Sequence, residues 1–226
     1  MKERLWVAVL ATTLLAPSAA LAAGAKSQQP APGVPDQVQK SPEEQAQDHY
    51  QFGLVYRDKA WKLEEKAAAA TNEKERLKLE TKAMKQWKKA IQELELATEK
   101  NDRFYQAFGS LGYALRKTGD FDTSLKSYDR ALQLEPDYPE AIEYRGEAYL
   151  GLDRVDEAQE AYIRLFSIDR AQSDTLLAAM KTWVERRRDE GTVEASTLER
   201  VAEWVSEREE IASQTASVSE LRDRGW

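Results

Sequence analysis

Two consecutive segments of the chain share one residue pattern at a period of 34 residues, over residues 105–138 and 139–172. At equal offsets the first segment carries Phe108, Leu111, Gly112, Leu115, Ser124, Tyr128, Ala131 and Pro136, and the second carries Ile142, Arg145, Gly146, Tyr149, Ala158, Tyr162, Leu165 and Arg170. Self-similarity at such a period predicts stacked units, each of which contacts only its neighbours. The chain is therefore expected to be an all-α solenoid, with an ordinary helical bundle as the alternative.

Glycine occupies the same position in both segments. A glycine inside a helix costs about 1 kcal/mol relative to alanine, so Gly112 and Gly146 at equal offsets indicate a packing role. We expect each to lie at a close crossing of two antiparallel helices, with Tyr128 and Tyr162 filling the space beside it. Ala131 is expected to let the following helix approach.

Other residues of the pattern mark helix boundaries. Pro136 and Pro139 separate the two segments, because proline cannot continue a helix interior. Asp120 and Asp153 come before the second helix of each segment, where an aspartate side chain can accept backbone hydrogen bonds. Both are therefore predicted N-caps.

The pattern resembles the tetratricopeptide repeat, which has the same period and the same order of large, small and aromatic positions. The first segment matches better than the second, which departs at Arg145 and Arg170, where the family has an apolar residue and a proline. The resemblance implies a TPR-type α-solenoid of antiparallel helix pairs that binds other proteins. Its structural positions here are Gly53, Gly112, Tyr128, Ala131, Pro136, Gly146, Tyr149, Ala158 and Tyr162.

A further copy of the pattern lies upstream and is split by an insertion. Gly53 and Tyr56 match its first helix, and Ala90 and Leu94 match its second. Asn72 in the middle of the insertion is a good N-cap. We predict that residues 43–99 form a long helical hairpin, and one uninterrupted helix is the alternative because no glycine or proline marks the turn.

The N-terminus has the pattern of a secretory signal. A short basic region with Lys2 and Arg4 precedes an apolar run over residues 5–15, and Ala20-Leu21-Ala22 is a small-residue cleavage site. The run is shorter than the roughly 20 residues that span a bilayer, so no transmembrane span is expected after cleavage. The pattern predicts a periplasmic or secreted protein, with an uncleaved anchor as the alternative.

The remaining boundaries follow from composition and capping signals. Ser41, Pro42 and Glu44 form a predicted capping box with proline at the first helical position. The predicted organisation is a signal peptide (1–22), a flexible Pro/Gln-rich linker (23–40), a TPR domain (41–172, with repeats 41–104, 105–138 and 139–172), C-terminal capping helices (173–214) and a tail (215–226).

Composition argues against several classes of function. The chain has no cysteine and one histidine, His49, so disulfides and thiolate or multi-histidine metal sites are excluded within one chain. A formal net charge of -7 is unfavourable for nucleic-acid binding. His49 is expected to pack between helices. We predict no catalytic residue, metal or cofactor, and the chain is not expected to be an enzyme.

The resemblance places binding on the surface lined by the first helix of each pair. One wall is expected to be basic and aromatic and the other acidic, which suits an extended peptide with both charges, and Gly109 is expected to leave space beside Tyr113. The Lys and Asn clamp of chaperone-binding members does not occur at these positions. The predicted groove residues are Tyr50, Leu54, Arg57, Gln106, Gly109, Tyr113, Arg116, Glu143 and Glu147.

The leading hypothesis is a non-catalytic scaffold with a protein or peptide partner in the bacterial cell envelope. A periplasmic binding module for a small molecule or glycan, using the hollow at Tyr113 and Arg116, is one alternative. An accessory subunit of an envelope enzyme is another. The long hairpin is also a candidate surface for homo-oligomerisation.

Overall fold

The computed structural model describes the backbone of residues 40–223 and the side chains of residues 40–214. The predicted signal peptide and all but the last residue of the predicted linker lie outside these residues. The described part folds into eight α-helices arranged as antiparallel pairs. The helices are α1 (Pro42–Ala68), α2 (Glu73–Lys100), α3 (Tyr105–Lys117), α4 (Phe121–Leu134), α5 (Pro139–Gly151), α6 (Val155–Ile168), α7 (Arg170–Glu190) and α8 (Ala195–Asp223).

The predicted long hairpin is confirmed as α1 and α2. The Ser41 hydroxyl accepts a hydrogen bond from the backbone N–H of Glu44 at 3.2 Å, and the Glu44 carboxylate accepts one from the N–H of Ser41 at 2.8 Å. Asn72 caps α2 by accepting from the N–H groups of Lys74 and Glu75. Local capping therefore fixes both the start of the hairpin and its turn, and the uninterrupted helix is ruled out.

A seam of small side chains holds the hairpin together. Buried positions recur every seven residues, which is the spacing of a coiled-coil interface. At Gly53 a Cβ atom would lie 2.7 Å from Cγ of Leu94, so the two backbones approach more closely than larger side chains would permit. The seam residues are Ala46, Gly53, Ala60 and Ala67 on α1, and Ala83, Ala90 and Ala97 on α2.

The two predicted repeats are confirmed as α3 with α4 and α5 with α6. Both first helices have 13 residues and both second helices have 14. A Cβ atom at Gly112 would lie 2.6 Å from the buried ring of Tyr128, as expected. At Gly146 the prediction that Tyr162 fills the space was wrong. A Cβ atom there would lie 2.7 Å from Cδ2 of Leu176 on α7, because α7 packs directly against α5.

The residue types that depart from the repeat pattern have local explanations. Arg145 replaces an apolar residue, and its guanidinium reaches Asp129 on α4 at 2.7 Å. Arg170 replaces a proline and begins α7, whose N-cap is Asp169. The other predicted structural positions behave as expected: Ala131, Ala158 and Tyr162 are buried, Tyr149 packs partly buried against the core, and Pro136 follows the end of α4.

The predicted N-caps have different outcomes. Asp120 caps α4 by accepting from the N–H of Thr123 at 3.2 Å. Asp153 does not cap α6, whose N-cap position is taken by Arg154. The Asp153 carboxylate instead accepts hydrogen bonds from Nε1 of Trp183 at 3.0 Å and from Nε of Arg187 at 2.7 Å. Asp153 thus ties the α5–α6 turn to α7.

Helices α7 and α8 cover the last repeat. Asp169 caps α7 by accepting from the N–H of Gln172 at 3.0 Å, so this helix begins three residues before the expected Ser173. Helix α8 continues to Asp223, beyond the expected end at Gln214. The apolar residues that close the core here are Leu176, Met180, Trp183, Val184, Leu198, Val201 and Val205.

Candidate protein-binding groove

Two adjoining hollows lie along the surface formed by the first helices of the pairs, α1, α3, α5 and α7. The smaller, called here the aromatic hollow, has a volume of about 190 Å³ and is lined by Tyr50, Arg57, Trp61, Gly109, Ser110, Tyr113, Tyr138, Glu140 and Tyr144. The larger, called here the basic hollow, has a volume of about 480 Å³ and is lined by Arg116, Lys117, Phe121, Glu147, Leu150, Gly151, Ala179, Thr182, Trp183 and Arg186. Together they form the groove.

The structure brings most of the predicted groove residues to these two hollows. Tyr50, Arg57, Gly109 and Tyr113 line the aromatic hollow, and Arg116 and Glu147 line the basic hollow. The other three predicted residues, Leu54, Gln106 and Glu143, line neither. Leu54 and Gln106 are half-buried, whereas Glu143 is fully buried.

The space at Gly109 is used differently from the expectation. A Cβ atom there would lie 2.8 Å from Cε1 of Tyr138, so Gly109 makes room for the Tyr138 ring and not for Tyr113. The Tyr138 ring also packs edge-on against Tyr105, with ring centroids 5.1 Å apart. Gly109 therefore lets Tyr138 form one wall of the aromatic hollow.

Tyr113 is the centre of an aromatic cluster. Its ring centroid lies 5.8 Å from that of Trp61, 5.7 Å from that of Trp87 and 4.7 Å from that of Tyr144. The indole Nε1 of Trp61 donates a hydrogen bond to the Tyr113 hydroxyl at 3.0 Å. The cluster joins α1, α2, α3 and α5, so the floor of the aromatic hollow is held rigidly by four helices.

Arg57 lines the aromatic hollow and contacts the aromatic cluster through Trp61. Its guanidinium lies 4.3 Å from the ring centroid of Trp61 and bonds Asp58 through Nε and Nη2, at 3.0 and 2.9 Å. Stacking on an indole leaves the N–H groups at the edge of a guanidinium free to donate hydrogen bonds. Arg57 and Glu140 give the lining one charge of each sign.

Arg116 and Glu147 form an ion pair across α3 and α5. Only 15% of the Arg116 side chain is exposed. Its guanidinium also lies 5.1 Å from the ring of Tyr113 and 5.4 Å from that of Tyr144. The expected basic and acidic walls therefore meet at this pair, which separates the aromatic hollow from the basic hollow.

Glu143 corrects the expectation of an acidic wall. Burial, together with the charge of the nearby Glu147 carboxylate, raises the pKa of Glu143 to about 9. Glu143 is therefore neutral at pH 7 and lies beneath the groove surface. Sequence reasoning placed it on the wall because position alone does not reveal that α5 turns this side chain into the core.

Several groove residues were not predicted. Trp61 lies one helical turn after Arg57, on the same helix face, and this spacing could have revealed it. Tyr144 and Tyr138 lie outside the family's groove positions, and Trp183 enters from α7, where the repeat pattern is absent. Four of the five aromatic residues of the smaller hollow carry a hydroxyl, so the lining is apolar with polar edges.

Residues 40–223, whose side chains are described over residues 40–214, lack two other kinds of feature. No helix in this range is both long enough and apolar enough to cross a membrane. Nor does this part of the chain hold a group of three or more His, Cys, Asp or Glu side chains placed to bind a metal ion. His49 instead pairs with Glu93 on α2, with Nδ1 2.8 Å from the carboxylate.

Comparison with known proteins agrees with the repeats. The family described as TPR repeat matches residues 112–153, and the family described as tetratricopeptide repeat matches residues 145–172. One similar solved structure is the Arabidopsis OM64 TPR domain, with 20% identity, a TM-score of 0.42, and coverage of 58% of this chain and 98% of that one. No curated protein matches.

Proposed function

We propose that this chain, which contains tetratricopeptide repeats, is a non-catalytic scaffold that binds a protein or peptide partner in the bacterial periplasm. Repeats of this kind generally mediate protein–protein interaction. The observation that carries the proposal is the groove itself, two adjoining hollows lined from four successive first helices. An extended partner that lies along it contacts every helix pair of the described chain.

The residue types of the groove support a protein partner. Tyrosine, tryptophan and arginine dominate the energetics of protein interfaces, because they combine large apolar area with a polar group. Trp61 is 38% exposed although it is a large aromatic residue. Its hydrogen bond to Tyr113 holds the indole in place, so binding would cost little side-chain entropy.

The charged groups support a binding role over a catalytic one. Glu147 is paired with Arg116, and Glu143 is fully buried, so it cannot touch a bound substrate. A general acid or base must lie within hydrogen-bond reach of the reacting group. Glu147 and Glu143 thus serve charge balance and packing.

The proposed location is supported by the N-terminal sequence alone. Lys2 and Arg4, the apolar run over residues 5–15 and the Ala20-Leu21-Ala22 site form the three parts of a secretory signal. Osmotic-shock fractionation and N-terminal sequencing of the purified protein test this. We expect the protein in the periplasmic fraction with Ala23 as its first residue, and a cytoplasmic full-length chain would contradict the location.

Photo-crosslinking in cells tests the binding function. A benzoylphenylalanine residue that replaces Trp61 lies in the groove. The control replaces Ile163, whose side chain is 57% exposed on α6, a helix that lines neither hollow. We expect a defined protein adduct from position 61 and none from position 163. Because the probe at position 61 replaces a groove residue, a second variant carries it at the exposed Thr182 in the basic hollow. Equal labelling from groove and control positions, or none from either groove position, would reject the groove as the binding surface.

A small-molecule or glycan ligand is the second candidate, and the aromatic hollow is the observation that favours it. Sugar rings and small apolar groups both pack on aromatic faces, and 190 Å³ accommodates one such ring. Thermal melting of the purified protein against a panel of sugars separates the two candidates. A rise in melting temperature with a sugar, without any protein adduct at Trp61, would favour the second. If the protein crosslinked at position 61 is an envelope enzyme, the result supports a role for this chain as an accessory subunit of that enzyme.

A further inference from the structure

We propose that the groove recognises an extended peptide that carries one uncharged aromatic side chain and one acidic side chain, roughly two to four residues apart. The aromatic side chain enters the aromatic hollow, and the acidic side chain enters the basic hollow. This inference rests on the proposed protein-binding function and names the chemistry of the partner.

The aromatic hollow fits a single ring. Its volume of about 190 Å³ is close to that of one aromatic residue, and its lining includes five aromatic side chains. Aromatic pairs prefer edge-to-face or offset packing, which stabilises them beyond the burial of apolar area. The exposed part of Trp61 supplies a surface for such a contact.

The charges of the lining select an uncharged ring. Arg57 and Glu140 contribute one charge of each sign, so the hollow has no net preference for an ion. Aromatic faces attract a quaternary ammonium group, but the guanidinium of Arg57, 4.3 Å from the Trp61 ring centroid, already occupies that face and repels a second cation. A phenylalanine or tyrosine side chain is therefore favoured over a methylated lysine.

The basic hollow favours an acidic side chain. Its lining holds three cationic residues, Arg116, Lys117 and Arg186, against the single carboxylate of Glu147. Lys117 is paired with Glu64, which lies outside this lining, at 2.9 Å, so the cation most available to a ligand is the weakly paired Arg186. Complementary charge steers a partner and sets its register on the surface.

Arg186 is the cation best able to exchange partners. Its side chain is 54% exposed, and its ion pair with Glu190 is long, at 3.9 Å. Exposed pairs one helical turn apart contribute little to stability, so an incoming carboxylate displaces Glu190 at small cost. By contrast, Arg116 is largely buried and already forms an ion pair with Glu147. The half-buried Phe121 in the same lining provides apolar contact for the peptide stem.

The separation of the two side chains follows from α3, which lines both hollows. Gly109 and Tyr113 line the aromatic hollow, and Lys117 lines the basic hollow. The rise of 1.5 Å per helical residue puts these positions about 6–12 Å apart along the helix axis. An extended peptide rises about 3.3 Å per residue, which corresponds to roughly two to four residues.

Binding of designed peptides to the full chain tests the inference. The probes are fluorescein-labelled Gly/Ser peptides with Phe and Glu three residues apart, in both orders, and matched peptides with Phe→Ala or Glu→Gln. By fluorescence anisotropy, we expect one order of the parent peptide to bind about tenfold more tightly than its Phe→Ala form. The Glu→Gln form should bind several-fold more weakly and lose the salt dependence of the parent.

Matched protein variants assign each side chain to its hollow. Arg186→Gln should weaken the parent peptide several-fold and leave the Glu→Gln peptide unchanged, while Arg188→Gln on the same helix has no effect. Trp61→Ala should weaken the parent and not the Phe→Ala peptide, with the exposed Phe52→Ala on α1 as control. If Trp61→Ala fails to fold, Ser110→Leu fills the hollow instead and should have the same effect.

The outcomes separate this inference from the proposed function. Equal affinity for all peptides, or equal losses for both peptides with Arg186→Gln, would overturn the two-site specificity. Absence of binding by every peptide, together with a protein adduct from position 61 in cells, would overturn the specificity and leave the scaffold function standing. Absence of an adduct from both groove positions would reject the scaffold function itself.

Discussion

Gly119 and Asp153 lie 34 residues apart and occupy the same turn in successive repeats, and both have left-handed backbone conformations, with φ of 85° and 58°. Glycine adopts this region freely, whereas aspartate does so at a cost that its side-chain bonds offset. Asp153 is anchored by Trp183 and Arg187 of α7. One backbone requirement is thus met by two different residue types.

Substitution at these two positions should separate backbone strain from side-chain bonding. Gly119→Ala should cost about 1–2 kcal/mol through backbone strain alone, because no atom lies within 4 Å of the added Cβ. Asp153 already bears this strain, so Asp153→Ala acts through the lost bonds to Trp183 and Arg187. It should cost more, because the buried indole N–H and the guanidinium both lose their acceptor. Asp153→Asn keeps an acceptor for the indole and should cost least. Urea unfolding of the purified protein measures all three, and a milder effect of Asp153→Ala than of Gly119→Ala would contradict the anchoring role.

Gly112→Ala should destabilise the second repeat by overpacking. The new methyl group would lie 2.6–2.9 Å from three atoms of the fully buried Tyr128 ring. Overpacking costs about 1–3 kcal/mol, which exceeds the gain of about 1 kcal/mol from replacing a helical glycine. Thermal melting should show a lower transition temperature, partly restored by adding Tyr128→Leu. A more stable Gly112→Ala variant would mean that this crossing is looser than described.

Glu143→Gln should flatten the dependence of stability on pH. Because burial raises the pKa of Glu143 from 4.5 to about 9, the folded state keeps a proton that the unfolded state loses above pH 4.5. The stabilisation from this group is complete below pH 4.5 and declines as pH rises towards 9. Glutamine is neutral throughout, so the variant should lose less stability than the parent between about pH 5 and pH 9.

The matched control for this titration is Glu140→Gln on the same helix. It makes the same chemical change at a half-buried position on α5, so the difference between the two variants isolates the effect of burying the Glu143 carboxyl. Parallel slopes for the parent protein and Glu143→Gln would show that Glu143 is ionised in the folded state at neutral pH.

Trp61→Phe should cost about 0.5–1.5 kcal/mol, the net contribution of a typical hydrogen bond. The change keeps a ring in the aromatic hollow and removes the indole donor to the Tyr113 hydroxyl. Tyr113→Phe removes the acceptor of the same bond, so the double variant should be less unstable than the sum of the single variants. Guanidinium unfolding of the four proteins gives the coupling energy, and strict additivity would show that the bond contributes nothing.

The fold was predictable because its determinants are local. The turn at Asn72 and the crossing at Gly112 each depend on residue type at a fixed position, which a sequence displays directly. The groove was predictable only in part, because its walls depend on side chains that cross between helices. Tyr138 fills the space above Gly109, and Glu143 is directed into the core. Neither arrangement leaves a periodic signal.

The alanine and glycine seam of the hairpin has a consequence for engineering. Its positions hold the smallest side chains available, so nearly every substitution there enlarges a residue and drives α1 away from α2. Since α1 carries Tyr50, Arg57 and Trp61, which line the aromatic hollow, widening the seam moves these three side chains. Redesign of binding breadth could therefore begin at a position that touches no ligand, such as Ala60 on the buried side of the same helix.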